Sequence, residues 1–215
     1  MVHEISKINS IFNQFIAEIR NKEIQKDPMR FRKNLERMGE IMGYELSKQL
    51  EYIETKVETP LGIATVNQLK NQPVIASILR AGLTLHSGLL NVFDHAENAF
   101  ISAYREEKEN GEIKVHVEYL ACPDLTNKVL ILSDPMLATG QSMSLVYDAI
   151  LKNGTPKKIH TVSAIASKQA IEYVKKHLPE GTEIWVGVID ETLNANSYIV
   201  PGIGDAGDLA FGLKL

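Results

Sequence analysis

A single cysteine, Cys122, in 215 residues leaves no internal disulfide to form, so the fold needs no oxidising compartment. The same scarcity excludes a thiolate zinc cluster, and the six histidines show no metal-ligand spacing. No apolar run approaches the roughly 18 residues of a membrane-spanning helix. The opening MVHEISKINSIFNQFIAEIRN is amphipathic and mixed in charge, without the basic start, apolar centre and small-residue cleavage site of a secretion signal. Fourteen glycines and eight prolines are too few for a low-complexity or collagenous chain. Basic charge is not in excess either. Lys and Arg number 23 against 27 Asp and Glu, a net of −4, which disfavours a chain built to coat nucleic acid. The absences leave a cytoplasmic protein as the expectation, with no nucleic-acid partner and no membrane contact. Its 44% hydrophobic and 23% charged residues are those of a globular chain. At about 1.4 times the roughly 150 residues typical of one domain, the length fits one domain with an appendage or two small ones, and a single domain over 1–215 is the expectation.

The first fifty residues read as two helices. Ile5, Ile8, Phe12, Phe15, Ile16 and Ile19 recur at three- and four-residue steps, the period of one helix face. Asp27-Pro28 offers an N-cap and a proline at the first helical position, and Leu35, Met38, Met42 and Leu46 carry that second helix to about Leu50. From Tyr52 the period shortens. YIETKVET and GIATV predict short strands around Pro60-Leu61-Gly62. PVIASIL, AFISAY, KVHVEYL, KVLILSD, KIHTVSAIA and EIWVGVI follow, several of them continuous apolar runs, as in strands buried on both faces of a parallel sheet. Helical segments at 83–93, 142–153 and 168–178 separate them, which argues an α/β sheet flanked by helices. REEKENGEIK, with Asn110-Gly111 near its centre, reads as an exposed hairpin or flap.

Ligands of open α/β sheets bind beyond the carboxyl ends of the strands, and three segments there are unusual. KVLILSD ends a buried strand in a carboxylate, Asp134. The loop Pro135-Met136-Leu137-Ala138-Thr139-Gly140-Gln141-Ser142 then enters a helix, whose free N–H groups make a phosphate cradle. The plainer alternative is that Thr139 or Ser142 caps the helix. Ser77-Ile78-Leu79-Arg80-Ala81-Gly82 is a second strand-to-helix turn, whose arginine suits a diphosphate or, more blandly, a surface ion pair. The tail SYIVPGIGDAGDLAFG holds Gly202, Gly204 and Gly207 in G-x-G-x-x-G spacing. It cannot open a βαβ unit, because only eight residues follow Gly207. What remains is an irregular glycine-rich loop with two carboxylates, Asp205 and Asp208. Cys122 has no evident activation and reads as structural.

Together the three segments resemble the type I phosphoribosyltransferases. SDPMLATGQS is similar to their phosphoribosyl-diphosphate loop, in the Asp-Pro form of the uracil phosphoribosyltransferases, and ILRAG and YIVPGIGDAGD resemble that family's diphosphate- and uracil-binding segments. Order and spacing agree over residues 25 to 215. The resemblance implies a mostly parallel twisted sheet with a β-hairpin flap, under a hood made by the N-terminal helices (1–50) and the C-terminal segment (190–215). It implies the reaction of uracil with 5-phosphoribosyl 1-diphosphate, giving UMP and diphosphate in pyrimidine salvage. Residues Asp134 to Ser142 would hold the 5-phosphate and ribose, and Arg80 and Arg105 the diphosphate. Ile199, Gly204, Asp205 and Ala206 would bind uracil, with Asp205 also near the donor; Arg105, Asp134 and Asp205 are the expected catalytic residues. Mg²⁺ would arrive on the diphosphate rather than in a protein cage. The family is typically oligomeric, so a homo-oligomer, dimer or higher, is expected.

Two stretches depart from the family pattern: Gln141 stands where a second glycine is common, and 191–197 differs from the usual run after Asp190. A phosphoribosyltransferase for another base, and a nucleotide-sensing RNA-binding regulator, are the rival readings. The net charge of −4 counts against the regulator.

Overall fold

The computed structural model describes residues 1–107 and 113–214, and their side chains except within 103–117. The chain opens with β1 (Val2–Glu4), then α1 (Ile11–Arg20) and α2 (Pro28–Ser47). The apolar period from Ile5 predicts one continuous helix, and here the structure differs. Ile5–Lys7 forms only a 3₁₀ turn, and Ser10 starts α1 afresh. Its hydroxyl accepts from Phe12 N–H at 3.3 Å while Asn13 Oδ1 accepts from Ser10 N–H at 3.1 Å. This reciprocal cap satisfies donors that a longer helix would leave to propensity alone. The start of α2 is as expected: Asp27 Oδ1 accepts from Met29 and Arg30 N–H at 3.0 and 3.2 Å.

A two-stranded antiparallel hairpin, β2 (Tyr52–Thr59) and β3 (Gly62–Leu69), stands apart from the main sheet. That sheet is built from β4 (Val74–Leu79), β5 (Glu97–Glu107), β6 (Ile113–Ala121), β7 (Val129–Ser133), β8 (Met136–Leu137), β9 (Lys158–Ser167) and β10 (Glu183–Asp190), together with β1. Helices α3 (Gly82–Val92), α4 (Gln141–Ile150) and α5 (Lys168–His177) alternate with the strands. The tail adds a small antiparallel pair, β11 (Thr192–Leu193) and β12 (Ile199–Val200), and the short α6 (Ala206–Phe211). The order is β1-β10-β9-β7-β4-β5-β6 with β8 beside β9, and every pairing is parallel except β5 with β6. The expected hairpin exists as that antiparallel pair, running to Glu107 opposite Ile113; its Asn110-Gly111 tip lies outside the described residues.

Two apolar layers cover the sheet. Ile75 of β4 and Ile131 of β7 face a cluster with Phe12, Leu35, Met42 and Leu89, from α1, α2 and α3. Their neighbours Val74, Ala76, Leu130 and Leu132 face the other cluster, with Val146 of α4 and Val174 of α5. This two-residue alternation, apolar on both sides, is why the strands read as continuous hydrophobic runs. The first layer also holds Ile199, Ile203, Ala206 and Ala210, so the tail and the N-terminal helices pack together as the expected hood. Among the described residues, no helix is long and apolar enough to cross a membrane.

Chain direction sets where a ligand can sit. From β4 the chain crosses through α3 to β5 on one side, whereas from β7 it crosses through α4 to β9 on the other. The neighbours β4 and β7 therefore flank the switch point, where diverging loops leave a crevice beyond the strand ends.

Candidate active site

Loops from both switch-point strands meet the tail around one cleft of about 580 Å³. Arg80 follows β4, Asp134 follows β7, Met136, Ala138 and Ser142 come from the loop into α4, and Asp205 and Ala206 begin α6. Seven of the sequence-derived candidates thus share one wall-to-wall space. Pro135, Leu137, Thr139, Gly140, Gln141, Ile199 and Gly204 do not line it. Leu137 and Ile199 are buried at 2% and 6% exposure and their side chains belong to the hydrophobic layers. Arg105 lies on β5 opposite Val115.

The 134–142 loop is organised by its own backbone. Met136 N–H donates to Asp134 Oδ1 at 3.2 Å, and Asp134 N–H and Pro135 O bond to Val162 and Ile165 of β9. Gly140 is the N-cap of α4 at φ +80°, a left-handed conformation that glycine adopts without strain. Ser144 N–H bonds back to Gly140 O at 3.2 Å, closing the first turn of α4, whose N-terminus carries the positive end of the helix dipole. Thr139 Oγ1 accepts from Gln141 N–H at a long 3.4 Å, while Gly140 supplies no side-chain cap. The Gln141 departure is also accommodated: the left-handed residue is Gly140, and Gln141 opens the helix.

Arg80 is already engaged. Its Nη2 donates to Asp208 Oδ1 at 2.8 Å and to Gly212 O at 3.1 Å, which orients the guanidinium along the cleft and ties the β4 loop to the tail. Asp205 caps α6 by accepting from Asp208 N–H at 3.0 Å; its other oxygen lies 3.9 Å from Lys214 Nζ. Under the loops, β4 and β7 are joined by a buried polar chain. Ser77 Oγ is 2.9 Å from His86 Nδ1 and 2.8 Å from Ser133 Oγ. Burial lowers the His86 pKa, so the imidazole stays neutral and can bridge hydroxyls.

Sequence reasoning missed several residues here. Asn196, Ser197, Tyr198 and Lys214 line the cleft. Lys214 carried no signal. Serines interrupting the apolar runs PVIASIL and KVLILSD were a readable sign of the Ser77–Ser133 link. Cys122 is structural as expected: its thiol donates to Pro123 O at 3.3 Å, and burial raises its pKa.

A mostly parallel sheet with a glycine-capped loop into a helix after one switch-point strand and an arginine turn after the other is the fold of the type I phosphoribosyltransferases. A hypoxanthine phosphoribosyltransferase from Staphylococcus aureus shares that fold, with a TM-score of 0.52 at 14% identity over 75% of this chain and 76% of its own. A protein from Aquifex aeolicus superposes with a TM-score of 0.88 at 32% identity, covering 100% of both chains. The uracil phosphoribosyltransferase of Porphyromonas gingivalis is 53% identical over 207 residues, 96% of each chain. Residues 9–213 match the family model for uracil phosphoribosyltransferase. The chain belongs to the uracil phosphoribosyltransferase family.

Proposed function

We propose that the protein transfers the 5-phosphoribosyl group of 5-phosphoribosyl 1-diphosphate to N1 of uracil, giving UMP and diphosphate in pyrimidine salvage. The observation that carries this is the convergence of the α4 loop, the Arg80 turn and the 205–206 segment on one cleft. The 5-phosphate sits on the N-terminus of α4, with Ser142 adding a hydroxyl. Asp134, at the end of β7, accepts from the ribose hydroxyls and faces the cationic character that grows at C1′. Breaking the C1′–O bond leaves the electron pair on the diphosphate, which Arg80 stabilises, with Arg105 as its partner from the hairpin. The uracil N1 lone pair forms the new bond, and its proton departs with the diphosphate. Positioning, rather than a strong protein base, supplies the acceleration.

Asp134 and Asp205 are hard oxygen donors on one cleft, chemistry compatible with Mg²⁺ held mainly by substrate oxygens. The ion would neutralise leaving-group charge. Backbone N–H and C=O groups near Gly204, Asp205 and Ala206 suit the acceptor–donor–acceptor edge of uracil; cytosine reverses two of the three pairings, at about 1–3 kcal/mol each. A panel with the donor, Mg²⁺ and uracil, cytosine, hypoxanthine or adenine tests this. Uracil should be preferred over cytosine on the order of 10²-fold or more; turnover of cytosine within a few-fold of uracil would refute it.

The reading extends to a cytoplasmic homo-oligomer. The β2–β3 hairpin leaves Ile53, Ile63 and Val66 at 46%, 74% and 40% exposure, and an isolated two-stranded hairpin is marginal in water. A second copy covering it would supply the missing burial. Light scattering of Ile63→Lys should show a smaller species than wild type.

A further inference from the structure

Three side chains from the first 32 residues reach across the molecule to backbone carbonyls of the tail. Arg20, in the last turn of α1, donates Nη1 to Gly202 O at 3.1 Å. Gln25, with its amide oriented to satisfy its neighbours, donates to Ile203 O at 2.8 Å. Arg32 of α2 donates Nη1 to Ala210 O at 2.6 Å. The first contact is the most constrained. Asp190, at the end of β10 and 6% exposed, receives both terminal nitrogens of Arg20, at 3.0 and 2.7 Å, and accepts from Gly202 N–H at 2.9 Å. Both backbone groups of Gly202 are thus claimed by one buried, bidentate ion pair.

The segment so held has little structure of its own. Only two residue pairs join β11 to β12, α6 has six residues, and Gly202 and Gly204 have positive φ of 57° and 86°. Elements this short do not set their own path; external contacts do. The segment leads directly into Asp205 and Ala206 on the cleft wall, and a base clamp tolerates errors of only about 0.5 Å. Arg20 and Asp190 make no hydrogen bond to the donor loops at 79–82 and 134–142 among those described.

We propose that Arg20 and Asp190 are positioning residues for the nucleobase, so that the contact of α1 with the end of β10, rather than the donor loops after β4 and β7, sets the affinity for the base. The proposal rests on the assignment of the 204–206 segment to uracil. It separates two halves of one active site: the loops after β4 and β7 govern the phosphoribosyl donor, and the Arg20–Asp190 contact with the tail governs the acceptor.

The test is the split between the two Michaelis constants. Arg20→Lys keeps the charge but removes the fork, so one ammonium cannot serve both Asp190 oxygens and Gly202 O. It should raise KM for uracil about tenfold while KM for the donor and kcat stay within about twofold. Arg30→Lys is the control. Arg30 grips Glu18 with the same two-pronged geometry, at 2.7 and 2.9 Å, in the same helix pair but without touching the tail. It should lower the unfolding midpoint comparably and leave KM for uracil unchanged. Asp190→Asn, which keeps an acceptor for Gly202 N–H, reads the same split if Arg20→Lys does not fold. Equal rises in KM for uracil in the Arg20 and Arg30 variants, or a rise confined to the donor, would overturn the proposal. A wild-type enzyme that uses another base would instead overturn the uracil assignment, and the same split would then be read on that base.

Discussion

Acid should destabilise this protein through its buried histidines, His160 foremost. His160 lies in β9 with no exposed surface, and its Nδ1 accepts from Trp185 Nε1–H at 3.1 Å. Burial, which penalises the charged form, lowers its pKa from 6.5 to about 4. Protonation would add a second cost, because Nδ1 would become a donor facing a donor. The unfolded chain therefore binds a proton that the folded chain refuses between about pH 6.5 and about pH 4. Stability from this group is fully present above the unfolded value and is lost as pH falls through that window. A displacement of about 2.5 units, at about 1.4 kcal/mol per unit, makes the loss about 3 kcal/mol, a large share of the roughly 5–15 kcal/mol of a typical domain. Glu18 acts lower down. Its hydrogen bond with Arg30 is the main cause holding its pKa at about 2, so its contribution fades only as pH falls from 4.5 towards that value. Burial lowers the His86 pKa as well, so the diagnostic is a difference. His160→Gln keeps an acceptor for Trp185 and does not titrate. Urea unfolding at pH 7, 6, 5 and 4.5 should show wild type losing stability more steeply than His160→Gln, by roughly 2 kcal/mol at pH 4.5. Parallel curves would refute the argument.

Ser77→Ala should leave His86 Nδ1 without its partner, while Ser133 Oγ keeps its 3.4 Å bond to Ala76 O, costing about 1–3 kcal/mol in urea unfolding, and should raise KM for the donor because the side-chain link between β4 and β7 beneath the loops is lost. Gly140→Ala should cost about 1–2 kcal/mol from the left-handed conformation alone, and its Cβ would press on the Tyr173 ring at 3.0 Å; donor KM and unfolding midpoint check both. Asp134→Asn keeps an acceptor for Met136 N–H, so the fold should persist while kcat/KM for the donor drops at least tenfold. Wild-type kinetics in that variant would return Asp134 to a purely structural role.

How much of this was readable beforehand depended on length and period. Strands β4, β7, β9 and β10 are long enough, and flanked by layers apolar enough, for their runs to declare themselves, and Asp27-Pro28 marked the start of α2 by its capping chemistry. β1, β8, β11 and β12 span only two or three residues and carry no period, so the sequence hid them. The apolar spacing through Ile5 and Ile8 imitates a helix that begins six residues before α1, which the Ser10 cap starts instead. In the site, the motif residues Arg80, Asp134, Ser142 and Asp205 were legible because their chemistry is local: a strand end, a hydroxyl-bearing loop, a helix start. The burial of the Ile199 side chain in the hydrophobic layer was not legible, since a two-residue strand gives no hint of which face a side chain takes.

The sequence by itself determined the alternating α/β order, the 134–142 loop and its helix, and membership of a family whose segments recur in the same order. These are properties of contiguous residues, set by hydrophobic period, capping and turn chemistry. Only the tertiary structure decided which segments meet. Arg80 finds Asp208 across 128 positions of chain, Arg20 finds Asp190 across 170, and Ser77 finds Ser133 across 56. Such pairings depend on strand order and on which face each crossover takes, and no local pattern encodes them. The cleft is therefore a product of the switch point between β4 and β7 and of the hood closing over it, each assembled from residues distant in sequence and brought together by burial of the two apolar layers.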